Sequence, residues 1–172
     1  MRLLCHPDTR AAAIASAEGT LDRGGGGLLR FRYRLRGDLA ALRIPPPAAP
    51  ERTDGLWRTT CFEAFIAGED GAYIELNFSP SGAWAAYRFD AYRSGMAAAD
   101  MPAPRIAVHR RGDLLQLTAE ARLEIGDARR LGLFAVVEEH DGAKSYWAPA
   151  HPPGAPDFHH PSCFALELPP PA

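Results

Sequence analysis

Glu63, Glu75, Asn77, Arg88 and Asp90 stand inside runs of Phe, Ile, Leu, Trp and Tyr, in the stretch Leu56–Met96 (LWRTTCFEAFIAGEDGAYIELNFSPSGAWAAYRFDAYRSGM). Asn and Glu are poor strand formers. Burying them costs free energy unless each finds a partner. Two kinds of arrangement give such residues a use. One is an internal salt-bridged network that holds the sheets together. The other is the polar floor of a ligand site. Carboxylates and amides match paired hydroxyls, and aromatic rings match the apolar faces of a sugar. On the second reading the contacts come from Glu63, Glu75, Asn77 and Arg88, with Trp57 and Trp147 stacking and Arg58 beside Trp57. Both tryptophans flank loops, although packing in a core is the usual fate of this residue.

The elements that position these residues read as strands. In 72–79, alternation puts Tyr73, Glu75, Asn77 and Ser79 on one face and Ile74, Leu76 and Phe78 on the other. In 59–67, Phe62, Ala64 and Ile66 oppose Cys61, Glu63 and Phe65. If the apolar sets face the core, Glu63, Glu75 and Asn77 meet on the far side. In the next strand Trp84, Ala86, Arg88 and Asp90 share a face, and Arg88 is expected across from a carboxylate.

The same period-two pattern, bounded by Gly, Pro, Asp and Ser, covers most of the chain. It predicts strands at Leu3–His6, Ile14–Asp22, Leu28–Arg36, Leu39–Ile44, Thr59–Ala67, Ala72–Ser79, Ala83–Asp90, Arg105–Arg110, Leu114–Leu123, Leu131–His140, Lys144–Ala148 and Cys163–Leu168. Leu28–Arg36 carries an arginine-lined outer face. Single helical turns are expected at 94–103 and at Asp127–Leu131. The run Pro45–Asp54 is a stiff, extended loop, too short to separate a pair of domains. No repeat at solenoid or propeller periods is present. The expectation is one all-β domain over 1–172, an antiparallel β-sandwich of about ten strands with little helix.

With 172 residues, 47% hydrophobic and 23% charged, the chain suits a soluble domain with a proper core. A net charge of −2 gives no nucleic-acid footprint. Asn77, Gln116 and Lys144 are each the single residue of their type, against a background of many Ala, Pro and Gly. Cys5, Cys61 and Cys163 form no close pair, which fits free thiols in a reducing compartment. Charge and Pro7 interrupt any leader-like core near the start, and no run reaches the roughly 20 apolar residues of a membrane span. A cytoplasmic protein with no membrane partner is expected.

Catalytic templates fail: G-x-S-x-G, G-x-x-x-x-G-K-[ST] and H-E-x-x-H are all missing. Glu63 and Glu75 could imitate a glycosidase pair, but such a pair must flank a cleft. The loop with His151, His159, His160 and Cys163, which Cys5 and His6 could approach, has zinc-type donors at no standard spacing. No metal or cofactor is expected.

LWRTTCFEAFIA followed by YIELNFSPSGAWAAYRFDAYRSGM resembles the bacterial DOMON-like domains, with a looser match to the YWA element at Tyr146–Ala148. These are related in fold to DOMON modules and family-9 carbohydrate-binding modules. The resemblance implies a jelly-roll-like antiparallel sandwich and a non-enzymatic module for a carbohydrate or cell-wall-derived sugar. It leaves two alternatives: a haem-binding electron-transfer module, for which Met96, Met101 and Lys144 offer ligands, and an interaction domain with no small ligand. Fold and function are separable.

Overall fold

The backbone satisfies its hydrogen bonds mainly through twelve strands. A computed structural model describes residues 1–126 and 128–168. Within them lie β1 (Arg2–Cys5), β2 (Ile14–Arg23), β3 (Leu28–Gly37), β4 (Cys61–Ala67), β5 (Tyr73–Phe78), β6 (Trp84–Phe89), β7 (Ala97–Ala98), β8 (Arg105–Arg111), β9 (Leu114–Arg122), β10 (Arg130–Glu138), β11 (Lys144–Ala148) and β12 (Leu166–Glu167). The order is β7-β6-β5-β4-β10-β11-β1-β2-β3-β9-β8, with β12 beside β10, and every pairing between these strands is antiparallel.

β1 makes one curled sheet into a sandwich. Its Leu4 and Cys5 pair with Ala148 and Trp147 of β11, while Arg2 and Leu3 pair with Glu18 and Ala17 of β2. The sheet folds over at this short strand into two layers. The first holds β2, β3, β9 and β8. The second holds β11, β10, β4, β5, β6 and β7.

The first layer has one wet face. β3 buries Leu29, Phe31, Tyr33 and Leu35 and exposes Arg30, Arg32, Arg34 and Arg36, as its alternation predicts. Arg30 and Arg36 pair on the outside with Glu120 and Asp113. Such exposed pairs contribute at most about 1 kcal/mol each. The inner side chains meet Phe62, Ala64, Leu76, Phe78, Leu133 and Trp147 of the second layer. Phe31 lies 5.3 Å from Phe78 and Tyr33 lies 5.0 Å from Phe62, ring centre to ring centre.

The second layer is covered on both faces. All seven residues of β4 are buried. Phe65, Tyr73, Tyr87, Phe89, Phe134 and Val136 turn away from the first layer into a second apolar cluster with Phe158, Cys163 and Phe164. The segment 149–164 and the 3-10 turn Leu56–Arg58 lie over it.

Several expectations change. Leu39–Ile44 is not a strand. Asp38 caps a 3-10 turn at Leu39–Ala41, accepting the Ala40 N–H at 3.0 Å, and only Leu42 makes a bridge, to Glu139. The prolines that follow have no N–H to extend a ladder. Residues 94–103 form no helical turn. Arg93 (φ 52°) and Gly95 (φ 68°) fold back into the two-residue β7. Of the turn expected at 127–131, residue 127 lies outside the described residues, and Arg130 and Leu131 open β10 against Ala67 and Ile66. Cys163 closes a 3-10 turn, so the final strand shrinks to Leu166–Glu167.

Phe31 is 1% exposed at the centre of the interlayer core. Phe31→Ala should lower unfolding free energy by about 3–5 kcal/mol. Urea titration checks this, and a loss near 1 kcal/mol would mean the two layers do not depend on this contact.

Candidate functional site

Alternation on β4 and β5 aims Cys61, Glu63, Tyr73, Glu75 and Asn77 away from the first layer. Glu63 and Asn77 are direct cross-strand neighbours. The Asn77 amide donates to Glu75 Oε1 at 2.6 Å, and the Cys61 thiol donates to Asn77 Oδ1 at 3.7 Å. Tyr33 reaches across from the first layer and donates its hydroxyl to the Glu63 backbone carbonyl at 2.7 Å. Glu63 itself is 3% exposed, and its Oε1 has no hydrogen-bond partner among the described residues.

The cover supplies the rest. The Leu56–Arg58 turn holds Trp57 edge-on to Tyr87, ring centres 6.0 Å apart, and the Tyr87 hydroxyl donates to Asp54 at 2.6 Å. In segment 149–164, Phe158 stacks on Phe134 at 4.5 Å. His159 sits edge-on to Phe65 and Phe89. The segment is clamped by Asp157, which accepts from Tyr92 at 2.6 Å and from Arg93 at 2.7 Å. Gly132 permits this close cover. A Cβ there would strike the Phe134 ring and come within 3.1 Å of the Cys163 carbonyl.

Between floor and cover lies a cavity of about 440 Å³. Glu63, Glu75, Arg93 and His159 give it polar groups, and Trp57, Phe89, Tyr146 and Phe158 give it rings. A larger hollow, about 810 Å³, opens near the β4–β5 turn and is lined by Glu69, Asp70, Arg88 and Asp90 among others. Those four side chains are solvated, and among the described residues no buried unpartnered atom faces it. The smaller cavity is therefore the candidate site.

Burial sets the protonation. Desolvation first, then the neighbouring Glu75, hold the Glu63 carboxyl well above the usual range. Glu75 is pushed up to about 7 by desolvation, against the opposing pull of Asn77 and Arg93. His159 is pushed down to about 4, by desolvation and then by Arg93. The Arg93 backbone N–H donates to the Tyr73 hydroxyl at 3.3 Å, and that hydroxyl shares a hydrogen bond of 2.7 Å with His159 Nδ1. His159 Nε2 faces Glu75 Oε2, 3.8 Å away.

Of the residues expected at a site, Trp57, Glu63 and Glu75 line this cavity, and Asn77 lies beneath, holding Glu75. Arg58 is exposed beside Trp57 and does not line the cavity. Arg88 is placed otherwise. It pairs in register with Ile74, so it leaves the carboxylate side and lines the larger hollow. Trp147 does not oppose Trp57. It is 6% exposed in the interlayer core, with its indole N–H donated to Ser145 at 2.9 Å. By period two, the ring facing the cavity from β11 is Tyr146. Arg93, His159, Tyr146 and Phe158 also line the cavity; the sequence pattern offers His159 only as a zinc-type donor and singles out none of the others for a sugar. Tyr146 is open to the alternation argument. The others arrive through turns and a long cover, which carry no periodic signal. Among the described residues no group of three His, Cys, Asp or Glu side chains is arranged to hold a metal; Cys163 instead donates to the Asp157 carbonyl.

No family model matches the chain, and no curated protein does. A solved structure from Bacteroides uniformis, provisionally described as a carbohydrate-binding protein, shares the fold with a TM-score of 0.60. It is 14% identical, over 86% of this chain and 75% of that one.

The raised Glu75 carboxyl favours folding below about pH 4.5, an effect lost as pH rises through about 7. The lowered His159 favours folding above about 6.5, an effect lost as pH falls through about 4. The two oppose each other in the acid range. Thermal melts from pH 4 to 8 should separate them. Glu75→Gln should lose melting temperature more steeply than the parent as pH falls from 6.5 to 4. His159→Gln should gain melting temperature relative to the parent as pH falls from 7 to 4.5. Unchanged profiles in both variants would remove this assignment.

Proposed function

We propose that the protein is a non-enzymatic binding module for a carbohydrate, taken up between Trp57 and Tyr146 above the Glu63–Glu75 floor. The observation that carries this is a cavity of about 440 Å³ combining aromatic walls with a buried carboxyl pair that has an unfilled acceptor. Rings suit the apolar faces of a sugar, and a few convergent polar groups fix its orientation. The likeness to a protein described as carbohydrate-binding supports the reading, as does the resemblance to DOMON-like and family-9 modules. Hydrolysis is disfavoured by geometry. Glu63 and Glu75 sit on adjacent strands of one floor, whereas glycosidase carboxyls flank the scissile bond.

A haem-binding reading draws on Met96 and His159, which line the same cavity. The fit is poor. His159 Nδ1 is bonded to Tyr73 and Nε2 faces Glu75 at 3.8 Å, so both ring nitrogens are turned toward side chains of the protein. An absorption spectrum of the purified protein separates the two, since a Soret band would belong to haem.

Trp57 is 38% exposed and rests on Tyr87, so it can be removed without opening the core. In a glycan array followed by calorimetry, Trp57→Ala should weaken the best sugar by about tenfold or more, with melting temperature nearly unchanged. A blank array from folded protein would shift the reading to an interaction domain.

A further inference from the structure

We infer that the ligand of this cavity presents an N–H-bearing ammonium group to Glu63 and Glu75; resting on the carbohydrate reading, this makes it an amino sugar whose amine is not acylated. The inference starts from unfilled acceptors. Glu63 Oε1 is buried and has no donor. Glu75 Oε1 takes the Asn77 amide, while Oε2 lies 3.8 Å from His159 Nε2, beyond hydrogen-bond length. Burial favours the protonated form of Glu63 in the empty cavity; once the carboxyls ionise, the floor presents two acceptor oxygens from neighbouring strands, Glu63 Oε1 and Glu75 Oε2, with no side-chain donor bonded to either among the described residues.

The charges point the same way. Arg93 lines the cavity, but its guanidinium is bonded to Asp157 at 2.7 Å and lies over Tyr92. Its charge is divided between Asp157 in the clamp and Glu75, whose carboxyl it pulls down. His159, with Tyr73 on Nδ1, faces Glu75 as a neutral ring. Among the described residues, Glu63, Glu75 and Asp157 therefore share the single Arg93 cation. A sugar hydroxyl has one donor, fills one oxygen and adds no charge. An ammonium has three donors and no acceptor, and its charge balances an ionised carboxylate. Around it, Trp57, Phe89, Tyr146 and Phe158 form the aromatic wall that cations favour. The orphaned oxygen also discriminates among cations. A quaternary ammonium has no N–H and would leave Glu63 Oε1 unfilled.

Calorimetry at pH 7.5 tests this on the full chain with glucosamine and galactosamine and their short β-linked oligomers, their N-acetyl forms, the matching neutral sugars, a small diamine, and choline. The free-amine sugars should bind about 10- to 100-fold tighter than their acetylated or neutral counterparts. Glu63→Gln should abolish that preference while keeping the parent's melting temperature within a few degrees. If Glu63→Gln does not fold, Glu75→Gln serves the same comparison. Equal or tighter binding of neutral or acetylated sugars would overturn the ammonium and leave the carbohydrate reading standing. Tightest binding of the diamine would keep the ammonium and overturn the carbohydrate. Choline binding as well as the primary amines would overturn the N–H requirement. No binding by any probe would overturn both.

Discussion

Burial of β4 on both faces is the constraint from which the rest follows. A strand with one wet side can carry Glu at alternate positions at no cost. β4 has no wet side, so Glu63 is enclosed by Cys61, Phe65, Glu75, Asn77 and the cover. A carboxyl in that position stays protonated, finds a partner, or waits for one. The Glu75–Asn77 bond satisfies one side of this group, and Glu63 Oε1 remains open. Cavity, clamp and perturbed protonation all trace to a strand that the fold will not let reach water.

The interlayer core and the cavity floor are mechanically one object. Tyr33 belongs to the core by its ring, packed on Phe62, and to the floor by its hydroxyl, bonded to the Glu63 carbonyl. Packing on one side of β4 thus fixes the backbone on the other, and this keeps the floor rigid while the cover is held by a surface clamp. Sites built on strands are positioned more precisely than sites on loops. Here the floor is of the first kind and the roof of the second.

Much of this is legible in the letters. Alternation in 28–36 settles which side of β3 is wet, because Arg and the large apolar residues leave no second solution. The same argument sorts Glu63, Glu75 and Asn77 onto one face. It stops at β6 and β11, where both faces carry a large aromatic side chain. WAAYRF and KSYWA read equally well in either sense, so the pattern alone allows Arg88 and Trp147 on the carboxylate side, where the structure does not put them. A single shift in phase exchanges Trp147 for Tyr146. The cover is beyond reach for a different reason. Its contacts join His159 to Tyr73 and Asp157 to Arg93 across wide gaps in the chain, and a segment of Pro, Gly and His has no period to read.

The strand that turns the sheet over has a kinetic consequence. β1, near the start of the chain, completes its pairing only when β11, near residue 148, is present. The cover that roofs the cavity comes later still. Pairings so distant in sequence are slow to close, since chain entropy is lost before the contacts form. During synthesis, the first layer can assemble while the opposite face of β4 still lacks its roof. The aromatic cluster on that face is thus shielded only once residues 149–164 have been made.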